Sequence, residues 1–134
     1  MPTGAAARRW IGPPGDTVAP IEPGDSPFCY VTTTGRRTGT PHTIEIWFAW
    51  SPTTRTTYIL TYRTSDTVRN LRRNPEVTVR IGGETCRATA RLVKPAGEED
   101  ATARRRIIDK YQAAGASDLE SWGAGALLVA FDLA

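Results

Sequence analysis

Two adjacent glycines, Gly82-Gly83, constrain this chain more than any other feature. On either side lie runs that alternate apolar and polar residues, Glu76 to Ile81 and Glu84 to Val93. A two-residue turn needs backbone angles that glycine adopts without steric cost, so the segment reads as a tight β-hairpin. The turn sets the register. Val79 faces Cys86 and Val77 faces Ala88 on one side, while Arg80 faces Thr85 and Thr78 faces Arg87 on the other. The first set is apolar and the second largely polar. A slip by one residue would mix the two faces, so the register is strongly specified.

Around the hairpin the pattern predicts four more strands, 28–34, 40–50, 56–62 and 126–133. Phe28 to Thr34 is rich in β-branched and aromatic residues. In Thr40 to Trp50, Ile44, Ile46 and Phe48 share one face, with Glu45 and Trp47 on the other. Ser65-Asp66 reads as a helix start. The short helix runs to about Arg73, with Val68 and Leu71 inward and Arg69, Arg72 and Arg73 outward, and Asn74-Pro75 ends it. Pro95 to about Ala114 reads as one long helix. Its first turn is acidic (Glu98, Glu99, Asp100) and its later turns basic, which complements the helix dipole. Ala103, Ile107, Ile108, Tyr111 and Ala114 form its apolar stripe, and Gly115 its C-terminal stop.

These elements imply a mainly β (α+β) domain, a six-stranded antiparallel barrel with flanking helices. The expected division is an arm over residues 1–26, rich in proline and glycine, and a barrel domain over 27–134. A chain of 134 residues can bury one core without staples. Cys29 and Cys86 read as small core residues, and a single histidine cannot complete a zinc site. No apolar run approaches the roughly 20 residues that span a bilayer, and the cytoplasm is the expected location. The net charge is +3, and lysine occurs only at Lys94 and Lys110, so the basic excess is arginine. Arginine suits two-point contact with phosphate or carboxylate.

No classical catalytic set is visible. His42 is the only histidine and no nucleophile elbow accompanies it, so the chemistry of an enzyme of this kind belongs to a cofactor. The most informative segment is TTTGRRTGTPH, Thr32 to His42. Its glycines, arginines and hydroxyls can hold a phosphate through oriented N–H groups and charge-assisted bonds. The same residues also make a well-solvated hairpin turn. A second candidate is Tyr62 to Asp66, which leads into a helix whose N-terminus attracts anions. Brought together, the two would form one basic cleft.

TTTGRRTGTPHT, the apolar strand after it, and RNLRRNPEVTVRIGG resemble the deazaflavin-dependent nitroreductase family, within the flavin and deazaflavin oxidoreductases of split β-barrel fold. The resemblance runs from about Phe28 to Phe131. It implies that Arg36, Arg37 and Thr38 cradle a cofactor phosphate. It implies that His42, Ile44, Glu45 and Trp47 line the deazaflavin ring, and that Tyr62 and Arg63 also touch the cofactor. The implied reaction is hydride transfer from reduced coenzyme F420 to an electron-poor small molecule, without a covalent catalyst or a metal. Many relatives carry arginine at position 42 and proline at position 45, so the two residues here are departures. Two alternatives stay open: FMN in the same cradle, or a basic barrel that binds nucleic acid without catalysis. The wider fold also implies a homodimer.

Overall fold

The computed structural model describes residues 22–134. The arm up to residue 21 lies outside the described residues. A short 3-10 turn, Pro23–Asp25, rests against the sheet and leads into it. The elements that follow are β1 Cys29–Thr34, β2 Pro41–Ile46, β3 Ala49–Ser51, β4 Thr56–Thr61, α1 Asp66–Arg73, β5 Glu76–Ile81 and β6 Glu84–Leu92. Then come α2 Glu98–Ala113, α3 Leu119–Gly125 and β7 Leu127–Leu133.

All strands join one antiparallel sheet in the order β2-β1-β5-β6-β7-β4-β3. β5 and β7 approach each other although β6 lies between them, so the sheet curls into a split barrel. β2 and β3 end the order and leave two open edges. The hairpin register is the expected one: Val79 pairs with Cys86, Val77 with Ala88, Arg80 with Thr85 and Thr78 with Arg87. Gly82 and Gly83 have φ of +58° and +92°, the paired left-handed angles of the tight turn.

Both faces of the sheet are covered. On the inner face, Val31, Phe48, Ile59, Val79 and Phe131 pack with Val68 and Leu71 of α1. On the outer face, Tyr58, Leu60, Leu128 and Ala130 pack with Ile107, Ile108 and Tyr111 of α2 and Leu119 of α3. β7 therefore contributes to two cores, which is why it reads as an unbroken apolar run. Burial of each large side chain contributes about 1.5–3 kcal/mol. Cys29 is fully buried, and desolvation pushes its thiol up to about 12, so it is an inert core residue. Cys86 is only half-buried.

Three expectations change. The run 40–50 is two strands rather than one, so the sheet has seven strands instead of six. The break falls at Trp47-Phe48. There the Phe48 N–H donates to Tyr111 Oη (3.0 Å) and the Phe48 carbonyl accepts from Lys110 Nζ (3.1 Å). Side chains of α2 replace the strand ladder at that residue. The long helix starts at Glu98, because Ala96 has φ +64°, which a right-handed helix does not admit. Its stripe is buried as far as Tyr111, while Ala114 is exposed. Finally, α3 was not anticipated. Its sequence, LESWGAG, holds two glycines and its start lacks a side-chain cap. Tertiary contacts hold it instead: Arg104 donates to the carbonyls of Gly123 and Ala126.

Candidate functional site

The turn between β1 and β2 is closed by two backbone bonds, Gly35 N–H to the Thr40 carbonyl (2.8 Å) and Gly39 N–H to the Gly35 carbonyl (2.9 Å). Glycine is required at 35 for space. A Cβ there would lie 2.9 Å from both His42 Nε2 and the Thr40 carbonyl oxygen. His42 thus packs its ring on the turn. Gly39 has φ +76°, where a side chain would be strained.

Helix α1 anchors this turn from below. Ser65 caps it, accepting from the Val68 N–H at 3.2 Å. Asn70 is buried on the helix face that meets β1. Its Oδ1 accepts from the Arg36 N–H (3.1 Å) and from the Arg36 guanidinium (3.0 Å), and its Nδ2 donates to Thr33 Oγ1 (3.2 Å). The Arg36 guanidinium also lies 3.4 Å from Asp66 Oδ1. Arg37 is exposed and forms no ion pair among the described residues. Gly35, Arg36, Arg37, Thr38 and His42 line one pocket of about 310 Å³ with Asp66 and Asn70. The basic turn and the first turns of α1 therefore share one cleft.

A second pocket, of about 300 Å³, lies at the other end of β2. Phe28, Glu45, Trp47, Tyr62 and Trp122 are among the residues that line it. Trp47 is a fixed wall. One of its faces stacks on Tyr111 at 4.3 Å between centroids, and Trp122 meets it edge-on at 5.7 Å. Tyr111 is locked by donating to the Pro27 carbonyl at 2.8 Å, and burial raises its pKa. Lys110 braces the same region. Its ammonium donates to the Ser26 and Phe48 carbonyls, and desolvation pushes its pKa down to about 8. Tyr62 stands 60% exposed at the pocket rim.

The residues singled out by sequence divide between these pockets. Arg36, Arg37, Thr38 and His42 gather at the first, and Glu45, Trp47 and Tyr62 at the second. Two fall outside both. Ile44 packs against the inner core, and Arg63 is exposed in the turn before α1. Three further residues were not foreseen. Asn70 had a faint signal, a polar residue among the inward positions of a short helix, where burial demands partners. Phe28, just before β1, and Trp122, on α3, had none, because what brings each to the pocket is tertiary packing. Among the described residues no cluster of His, Cys, Asp and Glu is arranged to hold a metal, and no helix is long and apolar enough to cross a membrane.

Comparison with solved structures places the fold among known ones. A structure of an F420-H2-dependent reductase matches with a TM-score of 0.61 at 17% identity, over 78% of this chain and 93% of that one. The heme storage protein HutZ from Vibrio cholerae matches with a TM-score of 0.64 at 15% identity, over 81% and 82%. A FAD-binding protein from Mesorhizobium loti matches with a TM-score of 0.60 at 12% identity, over 80% of each chain. At these identities the likeness is one of fold. No curated protein matches the sequence. The family model described as pyridoxamine 5'-phosphate oxidase matches residues 19–131, nearly the whole barrel, and the chain belongs to that family.

Proposed function

We propose that this protein is an oxidoreductase that binds a phosphorylated flavin-type cofactor along the free edge of β2. Coenzyme F420 in its reduced form is the cofactor of this reading. The acceptor is an electron-poor small molecule such as a quinone, a nitro compound or an activated alkene. The observation that carries the reading is the pairing of a basic pocket and an aromatic pocket at the two ends of one edge strand. The first suits a phosphate and the second a planar ring.

The residues present fit such a group. Arg37 and Arg36 offer guanidinium donors to a phosphate, and Thr38 adds a hydroxyl beside them. Asn70 holds Arg36 in place from the buried side. Phe28, Trp47 and Trp122 wall the ring pocket and keep water from its faces, while Tyr62 covers the rim. A reduced deazaflavin, when bound, supplies a hydride. The protein's part is then to orient that donor and the acceptor and to exclude water.

FMN is the second reading, because the basic pocket recognises a phosphate that both cofactors carry. A non-catalytic nucleic-acid binder draws less support. Trp47 is packed between Tyr111 and Trp122 rather than standing free to stack on bases, and Arg91, Arg104 and Arg105 are engaged by carboxylates. A homodimer belongs to the proposal, with the open sheet edges as the surfaces available for it; light scattering at micromolar protein should give twice the chain mass, and a monomer rejects it.

Titration of the purified protein with F420 and with FMN, followed by absorbance and fluorescence, tests the cofactor. Tighter binding of F420 is expected. Tighter binding of FMN moves the assignment to the second reading. Failure to bind either removes the proposal.

A further inference from the structure

Among the described residues, Glu45 is the only charged side chain lining the aromatic pocket. It sits on β2 directly opposite Tyr30 of β1. The Tyr30 hydroxyl donates to Glu45 Oε2 at 2.6 Å, and the Arg80 guanidinium lies over the Tyr30 ring at 4.1 Å. The tyrosine thus fixes the carboxylate by one oxygen. Oε1 takes no hydrogen bond among the described residues.

An ionised carboxylate accepts hydrogen bonds and donates none. At this end of β2 it rewards a ligand edge that carries an N–H and repels one that carries negative charge. The other end has the opposite preference, with Arg36 and Arg37 on the turn. His42 and Glu45 lie three positions apart, about 10 Å by strand rise, and their side chains leave opposite faces of β2, so a ligand that reaches both lies along the strand's free edge. The polyol chain of a flavin-type phosphate bridges a span of that order. The free edge of β2 therefore has an electrostatic polarity, cationic at the turn and anionic at the aromatic pocket.

Resting on the reading that the free edge of β2 binds a flavin-type cofactor, we infer that Glu45 accepts a hydrogen bond from the imide N–H of the cofactor's pyrimidinedione ring. That bond makes Glu45 a specificity-determining residue. It sets which edge of the ring enters the pocket while the phosphate is held at the turn. FMN and 5-deaza-FMN share this imide edge, so the inference holds for either ring system.

The test is a double-mutant cycle between protein and ligand. FMN and 5-deaza-FMN are titrated, each with and without a methyl group on the imide nitrogen, into wild type, Glu45→Gln and Glu45→Ala, with binding read by fluorescence. In wild type, methylation should weaken binding roughly tenfold or more, the loss typical of a hydrogen bond to a charged group. In Glu45→Ala the unmethylated ligands should bind more weakly by a similar factor, and methylation should cost nothing further. Glu45→Gln keeps an acceptor oxygen without the charge and should fall between. Thermal melts of the ligand-free variants confirm that each is folded. A methylation penalty that survives in Glu45→Ala overturns the inference. Wild type that binds both ring systems but ignores methylation overturns it too, leaving the cofactor reading intact. Wild type that binds none of the four ligands overturns the inference, and the cofactor reading falls with it only if F420 is not bound either.

Discussion

Arg91 on β6 and the Arg36-Arg37 turn use the same side chain in opposite ways. Arg91 donates to both oxygens of Glu99, at 2.8 and 2.7 Å, and to both oxygens of Asp132, at 2.6 and 3.2 Å. Tyr58 completes the cluster by donating to Glu99 at 2.7 Å. The cluster ties β6, β7, β4 and the first turn of α2 together, and its one guanidinium is shared by two carboxylates. At the turn, Arg36 is held mainly by a neutral amide, with Asp66 at 3.4 Å, and Arg37 has no carboxylate partner among the described residues. The difference teaches that the number of arginines says little about an anion site. What matters is whether folding has already supplied the anions. A saturated arginine stabilises the fold, and an unsaturated one on a rigid turn is available to a ligand.

The largest effect should come from replacing both turn arginines. Each loses a charge-assisted bond to the cofactor phosphate, worth about 1.5–3 kcal/mol. R36A/R37A should therefore bind the cofactor roughly a hundredfold or more weakly, measured by titration. Arg91→Ala should leave that affinity unchanged. Equal affinity losses in the two variants would dissolve the contrast, since the Arg91 cluster lies outside both pockets.

The next effect runs the other way. Arg91→Ala should lower stability by about 1 kcal/mol, a figure kept small because the paired groups are partly exposed to water. Its mark should be a changed acid limb. The Arg91 guanidinium, helped by the Tyr58 hydroxyl, holds the Glu99 carboxyl down at about 2 instead of the usual 4.5. Asp132 is lowered by the same arginine. A depressed carboxyl contributes stability that is full above its unfolded pKa and is lost as pH falls through the folded one. Wild type should therefore lose stability between about pH 4.5 and pH 2, and Arg91→Ala should show a shallower loss there. Urea unfolding at pH 7, 4 and 2.5 measures it. Parallel pH profiles for the two proteins would mean that the cluster is only a surface ornament.

The same contrast explains what could be read from the sequence. The Gly82-Gly83 register was legible because turn chemistry and alternation agreed over a short stretch. The α1 face was legible from Val68 and Leu71 for the same reason. The break at Phe48 was not, because Tyr111 and Lys110 cause it from more than sixty residues away. Helix α3 was hidden because its propensity is poor and its support comes from Arg104. For the site, TTTGRRTG pointed to the turn, and the structure brings α1 beside it. Sequence could not tell Arg36 from Arg37, because the buried amide that separates them belongs to Asn70, 34 positions along the chain.

That separation gives the smallest effect and the finest test. Arg37 is exposed, so Arg37→Ala should change stability by no more than about 0.5 kcal/mol. Arg36 is more buried, and its guanidinium donates to Asn70 Oδ1. The backbone N–H of residue 36 still reaches that oxygen after truncation, so Asn70 keeps one of its partners. Arg36→Ala should then cost only about 0.5–1.5 kcal/mol, the net value of one ordinary hydrogen bond. Both single variants should weaken cofactor binding by roughly tenfold, but only Arg36→Ala should also lower the urea midpoint. Asn70→Ala sharpens the assignment: it should weaken binding by loosening Arg36, and adding Arg36→Ala to it should cost less affinity than Arg36→Ala costs alone. If the two arginine variants lose stability and affinity equally, Asn70 does not distinguish them and the turn holds its ligand by net charge alone.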